Sequence, residues 1–382
     1  MSTDPVSTAS NLSTTGGSPA TVVAATSPSM RRIDEYLKEI LQRNGSDLHF
    51  MAGDPPRIRQ YGELQPMRSE PMTAQYVQEV LFEMMPRAAL QRLEEKHSAD
   101  FAYIIPGVSR FRVNVLRQLN GLGSVMRAIP STALSLDQLN MPEAVRNLCK
   151  VNKGLILVTG KTGSGKSTSL AAMIDDINTR RKGHILTIED PIEFVHQRKG
   201  CLISQREIGQ HTPSFAAALH SGLREDPNVI LVGELRDYET MSIAVTAAEM
   251  GILVMGTLHT NGAAPTVDRV INAFPADKQQ QVRAMLSTSL KGVVSQQLIP
   301  KAGKSGRVAA LEIMVNTPAV ANLIRQGKLD QLENVIQSGG ALGMRTMDTA
   351  IQLLLDAGTI TGKSAYLKAI NKARFEAVKD NV

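Results

Sequence analysis

Short apolar runs alternate with helical patterns through the second half of the chain. The runs lie at residues 154–159, 185–188, 229–232 and 252–255. Between them, apolar residues recur at helical spacing near 166–178, 214–224 and 238–250. Uninterrupted apolar strands joined by helices are typical of a parallel sheet that is covered on both faces. This half of the chain therefore predicts an α/β domain.

The pattern before this region has a different period. A helical stretch over residues 31–41 is followed by short alternating segments that predict strands at 47–51, 57–60, 63–65, 101–105, 111–116 and 123–129, with helices near 73–84 and 86–96. Together they predict a smaller α+β domain over residues 30–130, followed by a linker at 131–142. The larger domain then covers 143–382 and becomes helical from about residue 316.

Composition restricts the classes of protein that remain. Residues 1–29 are rich in Ser, Thr, Ala, Pro and Gly, and we expect this tail to be disordered. The net charge of +6 comes from 42 basic and 36 acidic residues spread along the chain, so no nucleic-acid partner is indicated. Two cysteines without a C-x-x-C pair predict no zinc site. We expect a cytoplasmic protein that reaches a membrane only through partners.

A phosphate-binding loop directly follows the first apolar run of the larger domain. The segment Gly160-Lys161-Thr162-Gly163-Ser164-Gly165-Lys166-Ser167 matches the full pattern, and Thr168 continues it into the predicted helix. Its glycines let backbone N–H groups surround an oligophosphate. Lys166 can reach the β- and γ-phosphates, and Ser167 offers a hydroxyl to Mg²⁺. The sequence therefore predicts that ATP and Mg²⁺ bind here.

Three further strands of the larger domain end in residues that suit ATP hydrolysis. The first delivers Glu189 and Asp190 to a proline turn, the second ends at Glu234, and the third is followed by His259. Ligands bind at the carboxyl ends of parallel strands, so we expect these side chains to meet the phosphates. Glu189 and Asp190 are the predicted metal contacts beside Ser167, either glutamate can act as the general base, and His259 can sense the γ-phosphate.

Two arginines of the smaller domain are also candidates. Arg112 and Arg127 lie on adjacent predicted strands, and Arg110 shares a face with Arg112 by strand alternation. That face can be solvated, can meet nucleic acid, or can supply positive charge to the nucleotide of a neighbouring subunit. The residues alone do not choose among these roles.

Taken together, these segments resemble the type IV pilus retraction ATPases, the PilT-like branch of the secretion ATPase superfamily. The resemblance covers roughly residues 31–360. It is carried by the phosphate loop and by five further segments: Gly45-Ser46-Asp47-Leu48-His49, Arg110-Phe111-Arg112-Val113-Asn114, Thr187-Ile188-Glu189-Asp190-Pro191-Ile192-Glu193, Val232-Gly233-Glu234-Leu235-Arg236-Asp237 and Gly256-Thr257-Leu258-His259-Thr260. Gly233 precedes Glu234 in the segment that corresponds to the Walker B motif. A glycine at this position is unusual among P-loop proteins, but it is what this family shows.

The resemblance implies a PAS-like N-terminal domain, a RecA-like ATPase domain and a homohexamer. It further implies that Arg112 and Arg127 reach nucleotide across a subunit boundary. The ring would act on the cytoplasmic face of the inner membrane, against a pilus platform protein, and drive pilus retraction and twitching motility. The chain departs from the family in the segment Ala319-Val320-Ala321-Asn322-Leu323-Ile324-Arg325-Gln326. Ala321 stands where the family carries the first arginine of this segment. An accessory, PilU-like paralogue that assists a second retraction ATPase is therefore an alternative.

Other classes of protein share part of these features. Pilus-extension and type II secretion ATPases resemble longer chains with a tetracysteine zinc site, which two cysteines cannot form. A type IV secretion ring ATPase fits the shared motifs, although Gly343-Met344-Arg345-Thr346-Met347-Asp348 resembles the retraction branch more closely. A RecA-like nucleic-acid motor is disfavoured by the dispersed charge. A nucleotide-gated structural subunit without turnover is disfavoured by the intact Lys166, Glu189, Glu234 and His259.

Overall fold

The structure is a computed structural model that describes residues 31–60, 63–129, 133–304 and 306–381. The predicted disordered tail, residues 1–29, lies outside the described residues. Contacts between residues divide the described chain into two compact units. The first contains the chain up to Ile105 together with Arg112–Ala128, and the second contains Pro106–Phe111 and the chain from Ile129 onward.

The first unit is built on an antiparallel sheet. Among the described residues its six strands follow the order β3-β2-β1-β6-β5-β4. The strands are β1 (Asp47–Met51), β2 (Arg57–Gln60), β3 (Glu63–Pro66), β4 (Ser98–Ile105), β5 (Ser109–Gln118) and β6 (Gly121–Ile129). The helices are α1 (Arg32–Gln42), α2 (Ala74–Met84) and α3 (Arg87–Lys96). Buried Leu37, Phe50 and Val77 show that α1 and α2 bury their apolar faces with the sheet.

The second unit is built on a larger sheet. Seven strands of the described chain follow the order β13-β12-β7-β11-β10-β8-β9. They are β7 (Gly154–Thr159), β8 (His184–Glu189), β9 (Leu202–Glu207), β10 (Val229–Val232), β11 (Leu253–Leu258), β12 (Leu290–Pro300) and β13 (Arg307–Val315). Strands β7, β10 and β11 are buried along their whole length, which explains their uninterrupted apolar runs.

The four predicted strands are parallel, and within the described residues the sheet becomes antiparallel only at one edge. Strand β12 runs parallel to β7 but pairs antiparallel with β13, from Gly292 opposite Val315 to Pro300 opposite Arg307. Neither strand was predicted from the sequence, and β9 was not predicted either. Polar residues interrupt the apolar runs of β12 and β13, such as Ser295 and Gln296 in β12, and these hide the strand pattern.

Helices cover both faces of the larger sheet. Those that precede β12 are α4 (Glu143–Lys150), α5 (Lys166–Arg180), α6 (Phe215–Gly222), α7 (Tyr238–Glu249), α8 (Ala263–Asn272) and α9 (Gln279–Ser289). Separate clusters of buried side chains pack on each face, one around Leu157 and Ile188 and the other around Ile156 and Met173. This arrangement confirms the predicted α/β class.

The chain beyond β13 is helical, as predicted. Its helices are α10 (Pro318–Gln326), α11 (Leu332–Ser338), α12 (Met347–Asp356) and α13 (Gly362–Lys368). Three of them begin with a side-chain cap, in which Thr317, Thr346 and Thr361 accept hydrogen bonds from the backbone N–H of the first turn. No helix in the described ranges is both long enough and apolar enough to cross a bilayer.

Candidate active site

The phosphate loop joins the end of β7 to the start of α5. Residues Lys161, Thr162 and Gly163 are exposed at its tip, whereas Ser164 is buried beneath them. The backbone of the loop ends at the N-terminus of a helix of 15 residues, where free N–H groups and the helix dipole favour an anion. The position and the geometry both suit an oligophosphate.

Lys166 lies at the first position of α5, and its ammonium group folds back over the loop. Its Nζ donates to the carbonyl oxygens of Gly160 at 2.8 Å and Lys161 at 3.2 Å. Burial lowers the pKa of Lys166, while the carboxylates of Glu234 and Glu193 act in the opposite direction. A buried cation held this close to the loop can pair with phosphate oxygens without leaving its place.

Gln296, which the sequence analysis missed, holds the loop from below. Its side chain on β12 is 2% exposed, donates through Nε2 to the carbonyl oxygen of Ser164 at 2.7 Å, and accepts from Oγ of Ser169 at 2.8 Å. Gly165 has a φ of +88°, and a Cβ there would lie 2.8 Å from Nε2 of Gln296. The polar pair Ser295-Gln296 inside an apolar run was the available signal.

Glu189 ends β8 and is held by three donors. Its Oε1 accepts from Oγ1 of Thr187 at 2.7 Å and from Nε2 of Gln205 at 3.4 Å, and its Oε2 accepts from the backbone N–H of Glu193 at 3.4 Å. Burial raises the pKa of Glu189, although these hydrogen bonds oppose the shift. Gln205 lies on β9, the strand that the sequence did not reveal, so its contact with Glu189 was missed as well.

Glu189 and Ser167 line the same small cavity. Its volume is about 40 Å³, which is room for ordered water. It is lined by Ser167, Leu170, Ala171, Glu189, Phe194, His196, Leu231, Gly233 and Thr257. Within the described residues this lining does not include Asp190, which is exposed at a cis peptide bond with Pro191.

Two residues of this lining, Ser167 and Glu189, carry oxygen atoms that suit Mg²⁺. A hydroxyl and a carboxylate are the hard oxygen ligands that Mg²⁺ takes, and the ion usually keeps water and phosphate oxygens as its other ligands. In the part of the chain that the structure describes, no group of three or more His, Cys, Asp or Glu side chains could hold a metal. Ser167 and Glu189 therefore suit a metal that arrives with nucleotide.

Gly233, which precedes Glu234, lies close to the backbone of the neighbouring strand β8. A Cβ on Gly233 would lie 3.2 Å from both Cα of Glu189 and the carbonyl oxygen of Ile188. The backbone N–H of Gly233 donates to that same carbonyl at 2.7 Å, so the two strand ends are drawn together. A side chain at position 233 would therefore be in tight contact with the backbone of Ile188 and Glu189.

Glu234 and His259 meet at the carboxyl edge of the sheet. Oε1 of Glu234 lies 3.2 Å from Nε2 of His259, and Oε2 lies 2.7 Å from Nη2 of Arg236. Strands β10 and β11 align Val232 with Gly256, which brings the residues that follow them side by side. Arg236 follows Glu234 by two positions in the segment 232–237, but the sequence did not predict that the two side chains pair.

The two candidate arginines of the first unit have different surroundings. Arg112 on β5 is exposed. Arg127 on β6 has a side chain that is 65% exposed, and its Nε donates to Oδ1 of the buried Asp47 at 2.7 Å. Arg127 thus has an ion-pair partner on β1.

Comparison with known proteins places these features in a family. The model of the type II/IV secretion system protein family matches residues 23–359. The chain is 50% identical over 337 residues to the type IV pilus retraction ATPase PilT of Pseudomonas aeruginosa, covering 88% of this chain and 98% of the relative. It is 40% identical over 336 residues to the type IV pilus ATPase PilU of the same organism, covering 88% of each chain.

A solved structure agrees with these relatives. The crystal structure described as the pilus retraction motor PilT with bound ADP has a TM-score of 0.85 and 42% sequence identity to this chain, covering 91% of this chain and all of the other. The α/β architecture and the resemblance drawn from the motifs are thereby confirmed. The chain belongs to the type II/IV secretion system protein family, in which its relatives include ATPases of type IV pili.

Proposed function

We propose that this chain is an ATP-hydrolysing motor that drives type IV pilus retraction and so twitching motility. The pairing of Glu234 with His259 beside an intact phosphate loop carries the proposal, because it supplies both a base and a polar sensor where the γ-phosphate would lie. Identity of 50% along nearly the whole of a retraction ATPase supports the cellular role. The chain is a P-loop ATPase by the same comparisons.

Each group of the site has a proposed task in hydrolysis. The loop from Gly160 to Lys166 binds the phosphates through backbone N–H groups and the ammonium group. Ser167 and Glu189, together with Asp190, would hold Mg²⁺. When bound, Mg²⁺ neutralises charge on the phosphate oxygens. Glu234 accepts the proton of the attacking water, and His259 fixes the direction of the Glu234 carboxylate.

Glu234 is the better candidate for the base because of its position, at the strand end beside His259. Burial raises its pKa, but the bonds to Arg236 and His259 outweigh that effect and hold the pKa of Glu234 below the ordinary range of glutamate. The carboxylate is then ionised at neutral pH and ready to accept a proton. Glu189 lines the cavity with Ser167 instead, and this position suits a metal contact.

The proposed assembly is a homohexamer at the cytoplasmic face of the inner membrane. Within it, Arg112 and Arg127 would supply positive charge to the nucleotide of a neighbouring subunit. A platform protein of the pilus machine is the proposed membrane partner, with a second retraction ATPase as a further partner. On this proposal the domain organisation is a PAS-like domain over residues 30–130, a linker at 131–142 and a RecA-like domain over 143–382.

Complementation tests the proposal. A strain that lacks its retraction ATPase would receive this chain, its Lys166→Ala form or its Glu234→Gln form, and twitching would be scored. We expect rescue by the unmodified chain alone. In the purified proteins, Lys166→Ala should lose ADP binding, whereas Glu234→Gln should bind ADP but hydrolyse ATP at least about a hundredfold more slowly. Rescue by Glu234→Gln would contradict a hydrolysis-driven motor.

A second candidate function is an accessory motor that assists another retraction ATPase. It rests on Ala321, which lies in α10 where the retraction family carries an arginine, and on the 40% identity to PilU. This alternative predicts that the purified chain hydrolyses ATP but does not restore twitching alone. Ala321→Arg would then restore it, whereas the neighbouring exchange Asn322→Arg would not.

A further inference from the structure

A buried carboxylate outside the proposed chemistry joins two helix starts. Glu312 lies on β13 and is 7% exposed. Its Oε1 accepts from the backbone N–H of Ala263, the first residue of α8, at 2.6 Å. Its Oε2 accepts from the backbone N–H of Met347, the first residue of α12, at 3.1 Å. One side chain thus caps both helices.

The start of α8 is also the end of the loop that carries His259. Only Thr260, Asn261 and Gly262 separate His259 from Ala263, so fixing the N–H of Ala263 restricts where the imidazole can stand. The strand partner of Glu312 contributes to the same loop. Ser295 lies opposite Glu312 on β12, and its Oγ accepts from the N–H of Gly262 at 2.8 Å.

Hydroxyl groups fasten the other side of this loop. Oγ1 of Thr260 lies 2.7 Å from Oγ1 of Thr266, which donates to the carbonyl oxygen of Gly262 at 2.6 Å. Thr266 also reaches Oγ1 of Thr159, the residue before the phosphate loop, at 3.4 Å. The loop is therefore held on one side by β7 and on the other by Ser295 and Glu312.

The start of α12 is bound to β13 beside Glu312. Ile313 and Arg345 exchange two backbone hydrogen bonds, at 2.9 and 3.1 Å. One residue into the helix, Asp348 accepts from the N–H groups of Ile370 and Asn371, both at 2.8 Å. The C-terminal helices are therefore connected through the N–H of Met347 to Glu312, and through Glu312 to Ala263.

We propose that Glu312 is a positioning residue for the hydrolysis site, which links the C-terminal helices to the His259 loop. It acts by satisfying two buried N–H groups at positive helix ends, a task for which a carboxylate with two acceptor oxygens is suited. The inference rests on the proposed role of His259 beside Glu234. The phosphate loop is held by Gln296 instead, so Glu312 should affect turnover and not nucleotide affinity.

Glu312→Gln tests the link, because the amide is nearly the same size but turns a donor toward one of the two N–H groups. Turnover of ATP and affinity for ADP would be measured for Glu312→Gln, His259→Ala and the double variant. We expect Glu312→Gln to lower kcat by about tenfold with ADP affinity within about twofold of the unmodified chain. In the His259→Ala background the same exchange should change kcat by less than about twofold.

Different outcomes overturn different claims. If the losses of kcat in the two single variants multiply in the double variant, Glu312 does not act through His259. The inference then fails while the proposed function stands. If His259→Ala alone leaves kcat unchanged, the role of His259 in the proposed function fails, and this inference falls with it. An equal loss of ADP affinity and kcat in Glu312→Gln would show general disruption and would also overturn it.

Two further variants separate positioning from folding. Glu333→Gln removes an exposed carboxylate on the nearby α11 that acts electrostatically on Glu312, and it should leave kcat and thermal unfolding unchanged. Glu312→Asp keeps the charge but shortens the reach to both N–H groups. We expect its kcat to lie between those of the unmodified chain and Glu312→Gln, and a full loss in Glu312→Asp with normal unfolding would count against a graded positioning role.

Discussion

Oε1 of Glu234 lies 3.2 Å from Nε2 of His259, while the other carboxylate oxygen lies 2.7 Å from a guanidinium nitrogen of Arg236. The carboxylate is thus held from both sides at the edge of the sheet. Burial alone would raise the pKa of Glu234, and it is the two basic partners that bring the pKa below the ordinary range. The state of the proposed base is therefore set by its neighbours.

The first prediction concerns the pH dependence that Arg236 controls. Because Arg236 lowers the pKa of Glu234 and burial raises it, removing the guanidinium leaves burial less opposed and raises the pKa. The acid limb of the kcat/KM profile should therefore move to higher pH in Arg236→Ala. Arg224→Ala, an exchange of another exposed arginine, serves as the control. An acid limb at the same pH in both variants would show that Glu234 is not the group whose ionisation limits activity.

The second prediction concerns Gln296 under the phosphate loop. Replacing it with alanine leaves the carbonyl oxygen of Ser164 and the hydroxyl of Ser169 buried without their partner. We expect the free energy of unfolding to fall by about 1–3 kcal/mol and ADP affinity to fall with it. Denaturant unfolding and ADP titration measure the two effects. The adjacent Gln297→Ala should change neither, and equal losses in both variants would remove the special role of Gln296.

The third prediction concerns the missing aspartate at Gly233. An added side chain meets the backbone of Glu189 and Ile188, which cannot move as a flexible side chain would. Gly233→Asp should therefore displace Glu189 and lower kcat by about tenfold or more, even though it restores the usual Walker B residue. Gly233→Ala separates the steric effect from the charge and should lose a similar part of the activity. Higher activity in Gly233→Asp would contradict the steric explanation.

Much of the fold could be predicted from the sequence because a strand buried on both faces appears as an uninterrupted apolar run. Strands β7, β10 and β11 are buried on both faces, so each is an uninterrupted apolar run. Strand β9 is mostly half-buried at the sheet edge, and its residues Ser204, Gln205 and Arg206 gave no period that pointed to a strand. The sequence therefore predicted its partner strand β8 but did not predict β9 or the contact of Gln205 with Glu189.

The sequence predicted the candidate catalytic residues that directly follow a strand. It did not predict the residues that hold the site in place from distant positions in the chain. Glu189, Glu234 and His259 each follow an apolar run, so parallel pairing alone predicts that they share one edge. Gln296 contacts Ser164 across 132 positions of the sequence, and Glu312 contacts Ala263 across 49. Such pairs depend on the register of β12 and β13, which a local pattern does not contain.

The last prediction uses one of these missed supports, Gln205 on β9. Its amide donates to Glu189 at 3.4 Å and to the carbonyl oxygen of Phe194 at 2.8 Å, so it steadies the carboxylate that we assign to Mg²⁺. Residues that orient a metal ligand affect metal affinity without binding the metal. In Gln205→Ala, the Mg²⁺ concentration for half-maximal ATPase activity should rise by about tenfold.

Saturating Mg²⁺ separates this effect from a loss of structure. At high Mg²⁺ the kcat of Gln205→Ala should approach that of the unmodified chain, because the carboxylate is still present and only its orientation has been loosened. Gln197→Ala, an exposed glutamine near the same segment, is the matched control and should keep the original Mg²⁺ requirement. A chelator should stop hydrolysis in all three proteins. If kcat stays low at every Mg²⁺ concentration in Gln205→Ala, then Gln205 supports the fold of the Glu189 strand end and not the metal contact.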